Sequence, residues 1–143
     1  MTLTNAGHLF ICSSSKDGDA ARAVVDALEA TGLKCWITSR DVPPGRSYQE
    51  AIVEALEVAH GLVFLLSDAS AGSGEILKEL SIAGSINIPV YPLRLAPVIP
   101  AGALRYEFAA RRWIDLFPDR AKGLRNLVET IRKDDRAQLA AKT

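Results

Sequence analysis

Short apolar runs alternate along this chain with stretches of helical period, the runs falling at residues 8–12, 33–37, 61–66, 88–95 and 113–116. After the first run, Ala21, Val24, Val25 and Leu28 stand at i, i+3, i+4 and i+7, one face of a helix that Gly32 can close. Ser47 and Glu50 form a capping box for a helix through Ile52, Ala55, Leu56 and Ala59. Ser73 caps another, with Ile76, Leu77, Leu80 and Ala83 facing inward. Pro118 and Asp119 start a last helix bearing Leu124, Leu127, Val128 and Ile131. The order β-α-β-α-β-α-β-loop-β-α implies a parallel sheet covered on both faces. At 143 residues it fits one domain with a flavodoxin-like, doubly wound, five-stranded α/β sheet. The core spans about residues 8–132, and residues 133–143 form a polar C-terminal extension, a continued helix or a frayed tail. Pro92 places the end of its strand near an edge or bulge, and residues 96–103, with Pro97 and Pro100, read as loop.

Composition narrows function by exclusion. Apolar residues make up 48% of the chain, and 17 Lys+Arg balance 17 Asp+Glu. Such a chain is globular, and it holds neither nucleic acid nor an anionic membrane by bulk electrostatics. The polar start and the brief first apolar run fit neither a signal peptide nor a membrane span. Cys12 and Cys35 lie in apolar runs without metal-ligand spacing. They read as reduced thiols of a cytoplasmic protein, and no metal site is predicted.

In open α/β sheets ligands bind beyond the carboxyl ends of the strands. This directs attention to residues 13–18, 38–46 and 67–79 and to the loop after Leu95. A phospho-acceptor site would need an acidic pair after the first strand, where serines stand, and Asp68 is isolated. No G-x-G-x-x-G follows a strand. His8 and His60 lack partners at catalytic spacing, and His60 reads as a helix end placed against the helix dipole.

A more specific pattern remains. Phe10-Ile11-Cys12-Ser13 is followed by Lys16-Asp17, and Cys35-Trp36-Ile37 leads into Arg40-Asp41-Val42-Pro43-Pro44-Gly45. Leu65-Leu66-Ser67 precedes Ser73 and Glu79, then come Ile88-Pro89-Val90-Tyr91-Pro92 and Arg112-Trp113-Ile114-Asp115. In this order, from about Leu9 to about Ile131, these segments resemble the Toll/interleukin-1 receptor (TIR) domain in its bacterial form, the Arg-Asp-x-x-Pro-Gly loop being the most specific element.

The resemblance implies an NAD+ hydrolase that cleaves the nicotinamide–ribose bond, giving nicotinamide and ADP-ribose or a cyclic ADP-ribose. It implies activity on self-assembly and a role in bacterial antiphage defence or signalling, with NAD+ as substrate and no cofactor. The family pattern Ser-x-Trp-x-x-x-Glu falls on Ser73-Gly74-Glu75-Ile76-Leu77-Lys78-Glu79, making Glu79 catalytic and putting Glu75 where an aromatic residue is usual. It further implies substrate contacts from Phe10, Cys12, Ser13, Ser14, Trp36, Arg40 and Ser73, and a self-association loop of Asp41, Pro43, Pro44 and Gly45. Its partners would be other TIR domains, as a homo-oligomer or filament, and a fused or separate sensor or effector domain. The alternative is a non-catalytic TIR–TIR interaction module, a signalling adaptor or a host-pathway mimic.

One carboxylate suffices for this chemistry. Glycosides with alkoxide leaving groups need a general acid as well, whereas nicotinamide in NAD+ is cationic and leaves neutral. Glu79 would orient the ribose hydroxyls and stabilise the positive charge developing on the sugar, with water or the adenine of the same NAD+ as nucleophile. Each residue also has a plainer role. Glu79 could pair with Lys78 or Lys16, Arg40 with Asp41, and Trp36 could simply pack. Glu75 and Glu79 at i and i+4 repel, which would raise the pKa of Glu79 or take an aromatic wall from the pocket.

Overall fold

A computed structural model of the chain describes residues 7–109 and 111–142. Its sheet is built from β1 (Leu9–Cys12), β2 (Cys35–Ile37), β3 (Gly61–Leu66), β4 (Val90–Arg94) and β5 (Ile114–Asp115). The strands lie in the order β2-β1-β3-β4-β5, and every neighbouring pair is parallel. The chain moves outward from β1 to β2 and then back across to β3, so the switch point lies between β1 and β3. The flavodoxin-like expectation holds.

Side-chain alternation divides the strands between two cores. Leu9 and Ile11 of β1, Val63 and Leu65 of β3, and Tyr91 and Leu93 of β4 face α1 (Gly18–Ala30) and α7 (Arg120–Lys142). Phe10 and Cys12, Leu62, Phe64 and Leu66 face α3 (Tyr48–Glu57) and α5 (Gly74–Ser85). Phe64 is fully buried, with Phe108 and Trp113 at 5.6 and 6.1 Å between ring centroids. Burying each such side chain contributes about 1.5–3 kcal/mol.

The predicted face of α1 is buried at Ala21, Val24, Val25 and Leu28, and that of α5 at Ile76, Leu80 and Ala83, whereas Leu77, also expected to face inward, is exposed on the flank of the stripe. Short helices are where the structure adds to the sequence reading. α2 (Thr38–Asp41) occupies the start of the expected loop, α4 (Asp68–Ala71) follows β3, and α6 (Gly102–Glu107) begins at the end of the expected 96–103 loop. α6 has no side-chain N-cap, and its Gly102 has φ 58°. It is held by Leu104 and Phe108, both buried against the sheet. Propensity could not show it, because tertiary packing supplies it.

Pro92 sits inside β4, opposite Phe64. Pro89 O and Leu95 N both bond to β3, so alternation turns Pro92 toward β5, which begins only opposite Leu93. Its missing N–H therefore falls on an open flank. The histidine that meets the last turn of α3 is His8, whose Nε2 donates to the Ala55 carbonyl at 2.8 Å. His60 instead has both ring nitrogens buried without a hydrogen-bond partner among the described residues. Burial holds it below its ordinary 6.5.

α7 reaches β5 through Gly123. A Cβ there would strike the Asp115 carbonyl oxygen and come within 2.7 Å of Leu116 Cδ2. Replacing glycine by alanine inside a helix ordinarily gains up to about 1 kcal/mol. Gly123→Ala is expected to do the opposite, lowering stability by about 1–3 kcal/mol through overpacking. A urea midpoint unchanged or raised by the substitution would contradict this account of how α7 seats on the sheet.

Candidate active site at the carboxyl ends of the first two strands

A cavity of about 330 Å3 opens where β1 and β2 end and α5 begins. Ile11, Ile37 and Ile76 supply its apolar surface. Ser13, Ser14 and Ser15 reach it from the end of β1, Thr38 and Ser39 from the end of β2, and Ser73 from the turn into α5. Two of these hydroxyls also hold local structure. Ser14 Oγ accepts from Lys16 N at 3.2 Å, capping the 3-10 turn Ser15–Asp17, and Ser73 Oγ accepts from Ile76 N at 3.3 Å, capping α5. A capping hydroxyl keeps its own proton and a second lone pair, so both can still serve a ligand.

α5 carries the ionisable chemistry. Ile76 and Leu80 bury its inner face, and this packing brings Glu79, one position before Leu80, to the cavity in a half-buried state. Burial is the largest influence on its carboxyl and pushes it up from the ordinary 4.5 to about 7. The Cys12 side chain works against that rise, and the nearby Glu75 charge adds to it. Glu75 is exposed and borders the same cavity one helical turn earlier. No basic side chain lines the cavity among the described residues. With two carboxylates and a ring of hydroxyls, the cavity favours a cation over an anion.

Of the residues singled out in the sequence, Ser13, Ser14, Ser73 and Glu79 meet here. Others lie elsewhere, for physical reasons. Phe10 is fully buried and stacks on Trp36 at 5.2 Å between centroids, Trp36 stacking in turn on His8. Phe10 and Trp36 are register partners, so their rings share the sheet face covered by α3 and α5, and Ile11 and Ile37 lie at the cavity in their place. Cys12 shares the face of Phe10 and is closed off from solvent.

Arg40 follows Ser39 but does not itself line the cavity. α2 turns it back over β2, where Nε donates to Asp41 Oδ1 at 2.8 Å and Nη1 and Nη2 donate to Glu29 at 3.1 Å. Nη2 also donates to the Cys35 carbonyl at 2.8 Å. Its donors clasp α1 to β2. Asp41 is committed too, since its Oδ2 accepts from Ile37 N at 2.8 Å. Beyond it, Arg46 N donates to Pro43 O at 3.2 Å, with Pro44 second and Gly45 third in the turn at φ 80°. This is the pattern of a type II turn. Pro43, Pro44 and Gly45 are exposed.

Tyr48 was not foreseen. The ring follows the Ser47 cap, is 47% exposed and borders the cavity. Burial, then the Glu75 and Glu79 charges, raise its hydroxyl above the ordinary 10.0. The sequence signal was an aromatic in the first turn of a helix that follows a strand-end loop. It supplies an aromatic surface that position 75 lacks.

The raised Glu79 carboxyl bears on stability with a definite sign. The folded state favours the proton, so a contribution present below the unfolded value near 4.5 is lost as pH rises through about 7. Glu79→Gln carries no such cost. Thermal unfolding should show the variant more stable than wild type above pH 7, by about 2 kcal/mol. The two should converge below pH 5. An equal difference at all pH values would contradict the burial of this carboxyl.

Comparison with known proteins agrees with this architecture. A family model described as TIR domain matches residues 9–128. The stimulator of interferon genes protein of Magallana gigas is 28% identical over 97 residues, covering 66% of this chain and 23% of that protein. The chain thus spans about a quarter of that relative's length. The TIR domain of the Toll-related receptor TRR-2 from Hydra magnipapillata superposes with a TM-score of 0.72 at 23% identity, covering 90% of this chain and 97% of that one. The TIR domains of the activated Roq1 resistosome, which directly recognises the pathogen effector XopQ, give 0.71 at 16% identity, covering 87% and 99%. At these identities the structural likeness is one of fold. A family model matching from the first strand to α7, on a sheet of order β2-β1-β3-β4-β5, establishes that the chain belongs to the TIR domain family.

Proposed function

We propose that this TIR domain hydrolyses the nicotinamide–ribose bond of NAD+, with Glu79 stabilising the cation that develops on the ribose. The observation that carries this reading is a half-buried carboxylate opening into a hydroxyl-lined cavity with no basic side chain among the described lining residues. In the reaction the C1′–N bond breaks and its electron pair goes to the pyridinium ring, which leaves as neutral nicotinamide without a general acid. The ionised Glu79 faces the electron-poor C1′ in a low-dielectric setting where such a charge acts strongly. Water then attacks C1′, forming the C1′–O bond, and its proton passes to bulk solvent. Ser13, Ser14 and Ser73 can hold the ribose and the carboxamide, and the Tyr48 ring offers the pyridinium an aromatic face.

About 330 Å3 lies at the lower end of the range for small-molecule sites. It suits the nicotinamide–ribose end and leaves the pyrophosphate and adenosine outside, where a second copy of the domain would meet them. Turnover should therefore rise more steeply than protein concentration. Nicotinamide release, followed across a concentration series, should fall by roughly a hundredfold or more in Glu79→Ala. Equal rates for the two proteins would remove the assignment. Because the carboxylate is the working form, log kcat/KM should climb with pH and level off above about 7.

A second reading, a non-catalytic TIR–TIR module, is favoured by the exposed turn at Pro43, Pro44 and Gly45. Alanine at φ 80° is strained, so Gly45→Ala should disturb the turn. Sedimentation should then show weaker self-association. If self-association weakens while no nicotinamide is released at any concentration by the wild type, the module reading replaces the hydrolase. If association is unaffected, the turn is not the contact.

A further inference from the structure

β5 begins only opposite Leu93, so the first residues of β4 have no strand on their outer side. The gap is a cavity of about 480 Å3 between β4, the segment entering β5 and α7. Pro89 O and Leu95 N bond to β3, so alternation turns the Val90 N–H outward to the gap, where it has no hydrogen-bond partner among the described residues. Asn126, Thr130 and Lys133 stand at i, i+4 and i+7 on α7 and present one face of the helix to the same space. Arg111 and Arg112 reach it from the chain entering β5. Trp113 lines it too, packed on Phe108 at 5.0 Å between ring centroids.

The charges here are the reverse of those beside Glu79. Arg111 lies over the Phe108 ring, its guanidinium carbon 5.8 Å from the centroid. Arg112 and Lys133 are exposed and make no ion pair, hydrogen bond or ring contact among the described residues. The carboxylate of the lining, Asp134, already accepts from the Tyr91 hydroxyl at 2.8 Å. Three cations and one carboxylate leave an excess of two positive charges, in a chain whose net charge is zero. A phosphate monoester carries about −1.5 to −2 at pH 7 and three terminal acceptor oxygens, which suits that excess. We propose that this cavity binds the terminal phosphate of a nucleotide-sized phosphate monoester, with Arg112, Lys133 and the Val90 N–H meeting the phosphate oxygens. Arginine supplies a planar pair of donors and lysine a point charge. The volume lies within the range of small-molecule sites and leaves room beyond the phosphate itself. Trp113 offers the rest of the molecule an aromatic surface, and Asn126 and Thr130 offer hydrogen bonds to its hydroxyls. The site shares no lining residue with the cavity that holds Glu79.

The probe is adenosine 5′-monophosphate, titrated into the isotope-labelled chain and followed by NMR, with adenosine, inorganic phosphate and NAD+ titrated alongside. The monophosphate should bind saturably and move the Val90 amide, the Trp113 indole and the Arg112 side-chain signals. Adenosine lacks the phosphate, and each phosphate of NAD+ is bridged on both sides and carries a single charge. Both should bind there at least about tenfold more weakly, as should inorganic phosphate, which leaves most of the cavity unused. Arg112→Ala and Lys133→Ala remove exposed side chains without partners among the described residues, and each should weaken the monophosphate about tenfold. Lys34→Ala, which removes an exposed lysine outside the lining, should leave it unchanged. Absence of saturable shifts at Val90 and Arg112 overturns the proposal. So does affinity for adenosine or NAD+ equal to that for the monophosphate, or binding unaltered in the two folded lining variants. A loss in Lys34→Ala as large as in Lys133→Ala would mean that net charge alone is sensed, and no site. Inorganic phosphate binding as tightly as the monophosphate would overturn the nucleotide-sized occupant. Nicotinamide release plays no part in these readouts, so the outcome is independent of the hydrolase reading.

Discussion

Because β3 is buried on both faces along its whole length, polar chemistry in this molecule has to gather at the ends of the strands. Leu62, Phe64 and Leu66 feed one core and Val63 and Leu65 the other, and the ladder bonds to β1 and β4 satisfy the backbone between them. An ionised group inserted there would lack both water and partners. At the carboxyl ends the chain leaves the sheet, and hydroxyls become available at Ser13, Thr38 and Ser67. Ser67 shows the same economy of use as Ser14 and Ser73. It accepts from Ser70 N at 3.1 Å to cap α4 and donates to Asp17 at 2.5 Å, tying the end of β3 to the turn after β1.

Glu79 reaches this polar rim from a helix rather than a strand, and the burial of Ile76 and Leu80 determines how deep it sits. Its carboxyl, at about 7, is held at a cost to the folded state above neutral pH. This is a local trade of stability for a charge placed where water is scarce. Glu75 increases that cost while making the cavity more hospitable to a cation. The exchange of an aromatic for Glu75 is therefore no simple loss, since Tyr48 supplies a ring at the same opening.

The long, periodic elements were legible in the sequence, and so was their doubly wound order. The apolar stripes of α1 and α5 and the continuous run of β3 are each strong enough to outweigh local propensity. α2 and α6 were not legible, being four and six residues long and stabilised by Arg40 and Asp41 in the one case and Leu104 and Phe108 in the other. Motif spacing located Ser13, Ser14, Ser73 and Glu79 because those positions depend on distance along one strand end or one helix. Phe10, Trp36 and Arg40 depend on which face a side chain takes and which ion partner lies across the fold. One signal was present all the same. Strict alternation forbids Cys12 and Ser13 from sharing a face, so only one of them could line the cavity.

In the proposed hydrolase, the cavity between the ends of β1 and β2 and the start of α5 receives the cationic end of the dinucleotide. Amide NMR of the Glu79→Gln protein titrated with NAD+ tests it most directly, since the bound dinucleotide is not consumed. Shifts should concentrate at Ser13–Ser15, Thr38, Tyr48 and Ser73–Ile76, with the Arg40 side-chain signals unmoved. Shifts centred instead on Arg40, or on Arg112 and Lys133 beside β5, would contradict it.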